Sequence, residues 1–214
     1  MGPEESALRQ CYSRFMSTAP LLAPLSRAED PDQRVILGGI DWWQFEAFLA
    51  IRADCAGVRV TYLEGQLEIM SPSRTHERLN TLIGRLLEAY ADEKGLVFEG
   101  YGSMTMRSAP KLRGVEPDKC YAVGAAKESP DLAVEVIWTH GGIDKLEVYR
   151  GLGVREVWIW EKEELKAYEL RGNAYVEIPR SVVIPGLTPS FIREFLDCET
   201  QTEAVRKLRE ALRK

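Results

Sequence analysis

The stretch PDLAVEVIWTHGGIDK, residues 130–145, holds a short apolar run with one acid, Glu135, at its centre. A run that is apolar at almost every position is typical of a strand that is buried on both faces of a sheet. A carboxylate that leaves water needs a cation or several hydrogen-bond donors in place of its hydration. The run therefore predicts a central strand from Leu132 to Trp138 and a partner for Glu135 elsewhere in the chain.

Upstream of this strand, three segments predict a helix, a hairpin and a second, longer helix. DWWQFEAFLAIRA, residues 41–53, is predicted to be a helix capped by its first residue. VRVTYLEGQLEIMSP, residues 58–72, alternates apolar and polar side chains on both sides of the turn pair Glu64-Gly65. SRTHERLNTLIGRLLEAYADEKG, residues 73–95, keeps its leucines at helical spacing up to a terminal glycine.

Around and beyond the buried run, strand and helix patterns alternate. VEPDKCYAV, residues 115–123, is predicted as a short strand before it, and DKLEVYRGLG, residues 144–153, as a helix after it. REVWIW, residues 155–160, predicts the next strand, and outer strands are expected at 164–170 and 174–178. This order predicts an α/β fold with a mixed central sheet flanked by helices.

The chain is expected to divide into three parts. Residues 1–40 are predicted to form an N-terminal arm with a short helix around Glu5 to Met16, because several prolines interrupt any longer element. Residues 41–180 hold the α/β core, and residues 181–214 are predicted to be a C-terminal helical segment.

Composition favours one globular protein in a reducing compartment. The chain has 214 residues, of which 45% are hydrophobic and 29% charged, and its net charge of -5 argues against a protein that coats nucleic acid. The four cysteines are scattered and form no CxxC pair, which favours reduced thiols. No segment approaches the roughly 20 apolar residues that span a bilayer, so we expect a cytoplasmic protein.

Further charged residues flank the buried acid in sequence. Asp118 in VEPDKCY precedes the strand of Glu135, and Lys145 opens the helix that follows it. Strand alternation would place Glu116 and Asp118 on one face. Two carboxylates on adjacent strands suit a hard cation such as Mg²⁺ or Mn²⁺, and an ammonium group orients water or stabilises developing negative charge. Hydrolysis of a phosphodiester is the reaction class that most needs this set.

Four segments together resemble the Uma-type restriction endonuclease family of the PD-(D/E)XK nuclease superfamily: YLEGQLEIMSPSRTHERL, GVEPDKCY, PDLAVEV and DKLEVYRGLGVREVWIW. The resemblance runs from about Asp41 to about Glu177. It implies a restriction-endonuclease-like fold in which Asp118 and Glu135 hold Mg²⁺ or Mn²⁺ together with the main-chain carbonyl of Val136.

The chain departs from the superfamily pattern at Ile137, which stands where the (D/E)XK motif has lysine. The resemblance implies that the catalytic lysine has moved to the following helix, which selects Lys145. Thr139 would supply the small hydroxyl residue that the family often carries after the strand. Glu116 is then expected to hold a second metal ion or its water.

Structural alternatives stay open for these residues. Pro-Asp is a common turn dipeptide, so Asp118 alone is typical of a turn, and Lys145 alone is typical of a solvated helix face. Glu135 would also be compensated by a buried salt bridge to an arginine such as Arg155. His76 leans toward the apolar stripe of its helix, so it either contacts phosphate at the rim of the cleft or packs on the sheet.

The sequence thus predicts a metal-dependent endonuclease that hydrolyses DNA. A homodimer is expected, since cutting both strands of a duplex requires two active sites. The apolar segments DWWQF, VWIW and AYEL would supply its interface, with the last two on outer strands.

A catalytically inactive binding or scaffold protein with the same fold is one alternative function, and a nuclease for RNA or branched DNA is another. Because clustered carboxylates repel one another, Asp118→Asn is expected to remove cleavage and weaken metal binding while raising or sparing thermal stability.

Overall fold

The computed structural model describes residues 30–53, 57–125 and 127–213. Contacts divide the chain into the units Met1–Asp30 and Pro31–Lys214, and the description below concerns the second unit. The short helix predicted around residues 5–16 lies outside the described residues.

The described residues contain eleven strands, which form two sheets. In chain order they are β1 Gln33–Gly38, β2 Arg59–Leu63, β3 Gln66–Ser71, β4 Phe98–Gly102, β5 Met106–Ser108, β6 Arg113–Val115, β7 Lys119–Val123, β8 Leu132–Ile137, β9 Glu156–Glu161, β10 Glu164–Arg171 and β11 Ala174–Ile178. One sheet has the order β11-β10-β9-β8-β7-β4, and the other has the order β1-β3-β2-β6-β5. The predicted mixed α/β class is confirmed, with two sheets in place of one.

The buried run that decides the fold is β8, a central strand of the six-stranded sheet. It pairs in parallel with β9 and antiparallel with β7. The register pairs Lys119 with Val134 and Cys120 with Ala133, so one further step brings Asp118 opposite Glu135. The topology therefore places the two acids at neighbouring positions of adjacent chain segments.

Five α-helices lie within the described residues: α1 Trp42–Arg52, α2 Arg74–Lys94, α3 Lys145–Leu152, α4 Pro189–Arg193 and α5 Gln201–Leu212. Helix α1 begins at Asp41, whose side chain forms a capping box with Gln44. Ser73 caps the start of α2, and Gly95 caps its end in the left-handed conformation (φ 62°) that favours glycine. The predicted cap at Asp41 and the predicted helix end at Gly95 are confirmed. None of the described helices is long and apolar enough to cross a membrane.

Two helices cover opposite faces of the six-stranded sheet. On one face, Leu82, Ile83, Leu86 and Leu87 of α2 are fully buried in a cluster with Val134, Val136 and Trp158. On the other face, Val148 and Tyr149 of α3 pack against Ala133, Val157 and Ile159. Burying one such aliphatic side chain stabilises the fold by about 1.5–3 kcal/mol. Because side chains alternate along β8, Glu135 points to the face that α3 covers.

Two expectations about strands were wrong, and one strand was missed. Residues 115–123 do not form one strand, because β6 ends at Val115, β7 begins at Lys119, and the intervening turn is irregular. The VWIW segment is not at an outer edge, since β9 lies between β8 and β10 and all four residues are buried. Strand β1, which pairs with β3, was not expected, because its outward-facing apolar residues show no alternation.

Candidate active site

Glu135 in β8 receives two groups from α3. The hydroxyl of Tyr149 donates a hydrogen bond to Oε1, and Nζ of Lys145 lies 3.4 Å from Oε2. Only 2% of Glu135 is exposed. Burial, and then the nearby charge of Asp118, raise the pKa of Glu135 to about 7, although Lys145 and the Tyr149 hydrogen bond oppose the shift. The ionised carboxylate is therefore only partly compensated.

Lys145 is the cation that the buried acid required. It is the first residue of α3, follows the N-cap Asp144, and is 8% exposed. Its ammonium group also donates a 2.8 Å hydrogen bond to Oγ1 of Thr61 in β2. The alternative partner Arg155 is exposed at the surface. Lys145 is thus fixed between the two sheets and does not belong to a solvated helix face.

Asp118 lies between β6 and β7 and is held from three directions. Oδ2 accepts a 2.8 Å hydrogen bond from the main-chain N–H of Val136, and Oδ1 lies 3.0 Å from Nε2 of His76 and 3.8 Å from Nε of Arg59. Burial opposes ionisation, but His76, Lys145 and the Val136 N–H together lower the pKa of Asp118 below its ordinary value. This acid is therefore ionised at neutral pH.

His76 lies inside the site, between two carboxylates. Its ring is fully buried, with Nδ1 3.2 Å from Oδ2 of Asp32 and Nε2 facing Asp118. Burial lowers the pKa of His76, but the two carboxylates outweigh it and raise the pKa to about 10. The ring leans inward, as the sequence predicted, but its neighbours are two carboxylates and not the sheet alone. The predicted contact of His76 with phosphate stays a prediction.

Glu116 occupies a different environment from Asp118. Oε1 accepts hydrogen bonds from Arg52 and from Thr105, and Oε2 accepts one from the main-chain N–H of Val60. Because residues 116–118 are not in a strand, the alternation argument for a shared face does not apply. The predicted role of Glu116 at a second metal ion stays a prediction, and its contacts favour a structural role.

The group of donors suited to a divalent cation is small. Among the described residues, no cluster of three or more histidine, cysteine, aspartate or glutamate side chains is arranged to hold a metal ion. Asp118, Glu135 and the Val136 carbonyl supply hard oxygen donors, and Mg²⁺ ordinarily keeps several waters besides its protein ligands. Burial, and to a smaller extent the charge of Asp118, raise the pKa of Glu135, and a cation beside the two acids would stabilise the ionised form. The residues present therefore fit Mg²⁺ or Mn²⁺.

The site opens into a cavity of about 320 Å³. Glu135, Val136 and Lys145 line this cavity. Arg34, Glu68 and the loop 140–144 also contribute to its lining. Asp118 does not line the cavity, so a reacting group in it would meet Glu135 and Lys145 first.

Sequence reasoning missed four residues of the site. Tyr149 follows Lys145 by four positions and so lies on the same helix face, which is a signal that the sequence offers. Asp32, Arg59 and Thr61 come from distant segments, and nothing in their local sequence marks them.

A family model described as "Uma2: Putative restriction endonuclease" matches residues 45–194 of the chain. The match contains every residue that the sequence proposed for the site, and it begins after strand β1. No match is found among curated proteins.

Proposed function

Since the chain belongs to the Uma2 family, whose description is "Putative restriction endonuclease", we propose that it is a metal-dependent endonuclease that hydrolyses DNA phosphodiester bonds. The observation that carries the proposal is the meeting of Asp118, Glu135 and Lys145 in one buried cluster beside a cavity. These residues come from three separate segments of the chain. A purely structural ion pair would not require a second carboxylate next to Glu135.

Asp118, Glu135 and the carbonyl of Val136 would hold Mg²⁺ or Mn²⁺. When bound, the ion would supply positive charge that stabilises the phosphoryl oxygens and acidifies a water. Asp118 is ready for this role because it is ionised and its carboxylate orientation is fixed by the Val136 N–H. Tyr149 fixes Glu135 in the same way.

Lys145 would orient the attacking water or stabilise the negative charge that develops on phosphate. Its ammonium group is held by Thr61 and Glu135, so it need not reorganise during the reaction. This placement supports the view that the lysine missing at Ile137 is replaced from helix α3.

Two alternative functions are compatible with the same fold. A catalytically inactive binding or scaffold protein agrees with the net charge of -5 and with Ile137 at the usual lysine position. A nuclease for RNA or branched DNA would use the same groups. We propose DNA as substrate because the family is described as restriction endonucleases, and the cytoplasm as the place of action because the cysteine pattern favours a reducing compartment.

A nicking assay tests the proposal. Supercoiled plasmid incubated with the protein and Mn²⁺ is expected to become nicked or linear, and EDTA is expected to stop the reaction. Lys145→Met is expected to lower the rate by about 100-fold or more, whereas Lys162→Met, which changes an exposed lysine, is expected to leave it unchanged.

Cleavage that persists in EDTA or in Lys145→Met would contradict the assignment. RNA and branched DNA run in parallel would identify either as the preferred substrate. A protein that neither cuts nor binds Mn²⁺ by calorimetry would support the scaffold alternative.

We also propose that two chains associate. Strand β1 is an edge strand on which Val35 and Ile36 are 55% and 43% exposed, and Trp43 of α1 is 67% exposed. Trp42 instead packs against Phe45 and Tyr62. Sedimentation equilibrium at micromolar concentration is expected to give about twice the chain mass of 24.2 kDa. A value near 24.2 kDa would rule out the homodimer.

A further inference from the structure

The segment Asp32–Arg34, at the start of β1, lies outside the family match at residues 45–194. It nevertheless contacts two parts of the candidate active site that are far from it in sequence. Asp32 reaches His76 in α2, and both Asp32 and Arg34 reach the loop after β8. This segment therefore contacts the site from outside the region that the family model matches.

Asp32 fixes the imidazole that faces Asp118. Its side chain is fully buried, Oδ1 accepts a 2.8 Å hydrogen bond from the N–H of Ser73, and Oδ2 lies 3.2 Å from Nδ1 of His76. The other ring nitrogen lies 3.0 Å from Oδ1 of Asp118. A partner on one ring nitrogen sets the orientation of the ring and therefore what the other nitrogen presents.

The same segment holds the loop that joins Glu135 to Lys145. The N–H of Asp32 donates to Oγ1 of Thr139 at 2.9 Å. Arg34 Nη1 donates to the carbonyl oxygens of Thr139 and His140, at 2.9 Å and 3.1 Å. Strand β8 ends at Ile137, two residues after Glu135, and the loop that follows leads directly to helix α3. These contacts therefore fix the first half of the loop.

Glu68 extends this support to the second half of the loop. Its Oε2 lies 3.4 Å from Nε of Arg34 and accepts a 2.8 Å hydrogen bond from the N–H of Ile143. Glu68 is 1% exposed, so its position is constrained by packing. A Cβ atom on Gly142 would lie 2.7 Å from Oε2 of Glu68 and 3.1 Å from Cζ of Arg34. The loop therefore approaches this ion pair as closely as a glycine allows.

We propose that Asp32 and Arg34 are positioning residues for the cleavage reaction. Asp32 acts through His76 on the orientation of Asp118, and Arg34 acts through the loop on the separation between Glu135 and Lys145. The catalytic roles of those three residues rest on the function proposed above. The geometry that links them to β1 is independent of that function.

The test compares Asp32→Asn, Arg34→Lys and Gly142→Ala with Gln33→Ala, a control on the same strand with an exposed side chain. The three variants are expected to lower kcat by about 10- to 100-fold, as the loss of supporting contacts to metal ligands typically does. KM for plasmid is expected to stay within about threefold, because none of the three changes removes a substrate contact. Gln33→Ala is expected to match the wild-type protein in both constants.

A second measurement does not require activity. The chain has only two histidines, so the ring signals of His76 and His140 are readily distinguished by NMR once a His140→Gln variant assigns them. Asp32→Asn is expected to shift the His76 ring nitrogen signals at constant pH, and Gln33→Ala is expected to leave them in place. Thermal melting identifies any variant that does not fold. If Asp32→Asn does not fold, Arg34→Lys and Gly142→Ala test the proposal.

Unchanged kcat in folded Asp32→Asn and Arg34→Lys would overturn the proposal. A rise in KM alone for Arg34→Lys would also overturn it, since Arg34 would then contact the substrate. If the wild-type protein does not cut DNA, the proposed function fails. In that case the His76 signals decide the linkage to β1: a shift in Asp32→Asn supports it, and unchanged signals overturn it.

Discussion

Glu135→Gln is expected to abolish DNA cleavage and to leave the fold at least as stable as the wild-type protein at pH 8. The activity loss follows because glutamine supplies no negative charge for a cation, and an effect of about 100- to 1,000-fold or more is expected for losing one such electrostatic group. Stability is spared because burial raises the pKa of Glu135 to about 7, so the folded protein disfavours the ionised form. Glutamine removes a charge whose burial is unfavourable.

The pH dependence of stability provides the sharper measurement. A carboxyl group with a folded-state pKa of about 7 and an ordinary value of 4.5 stabilises the fold fully below pH 4.5. That contribution is lost as pH rises toward 7. Urea unfolding of Glu135→Gln and of the wild-type protein should therefore give similar free energies of unfolding at pH 4. Between pH 4 and pH 7 the variant should become increasingly more stable than the wild-type protein, and the difference should persist at pH 8.

Glu99→Gln is the matched control, because Glu99 is exposed on β4. It is expected to change neither cleavage nor the pH profile of stability. A Glu135→Gln variant that is less stable than wild type at pH 8 would show that the ion pair with Lys145 outweighs the cost of burying the charge.

Asp118→Asn is expected to abolish cleavage as well, but with a loss of stability. The pKa of Asp118 is lowered despite burial, so the fold stabilises the ionised form. Asparagine would leave the buried His76 imidazolium with Asp32 as its remaining partner, and removing one member of a buried ion pair costs about 3–5 kcal/mol. Repulsion between the clustered acids predicted that stability would be raised or spared, but the contacts of His76 favour a loss.

Urea unfolding at two pH values checks whether Asp118→Asn lowers the free energy of unfolding, as expected. A carboxyl group with a lowered pKa stabilises the fold above its ordinary value of 3.8, and that contribution is lost as pH falls through the folded-state pKa. The difference between wild type and Asp118→Asn should therefore be large at pH 7 and shrink under acid. Asp92→Asn, which changes an exposed aspartate of α2, is expected to stay within about 0.5 kcal/mol of wild type. A fully stable Asp118→Asn would contradict the ionic role of His76.

The comparison of these two acids shows what local sequence contains and what it lacks. Both are single carboxylates next to apolar strands, so the local sequence predicts the same environment for each. Both are buried, but their pKa values move in opposite directions because Asp118 receives His76 and a main-chain N–H, whereas for Glu135 burial outweighs Lys145 and Tyr149. These partners come from other segments, so no pattern near either acid could distinguish them.

The sequence by itself determined the helices, the hairpin and the central strand, because periodicity, caps and turn residues are local properties. Asp41, Ser73 and Asp144 start their helices, and the hairpin turns at Glu64 and Gly65, both at positive φ. Together with the resemblance, it also selected the acids and the lysine.

Only the tertiary structure determines which of those residues contact one another and through which partners. The two-sheet arrangement brings Thr61 to Lys145, and the edge strand β1 brings Asp32 to His76. Strand β1 shows no alternation, because three consecutive apolar residues face solvent along a sheet edge. Pairing between distant strands depends on the whole fold, since each contact becomes favourable only after the others have closed the intervening chain.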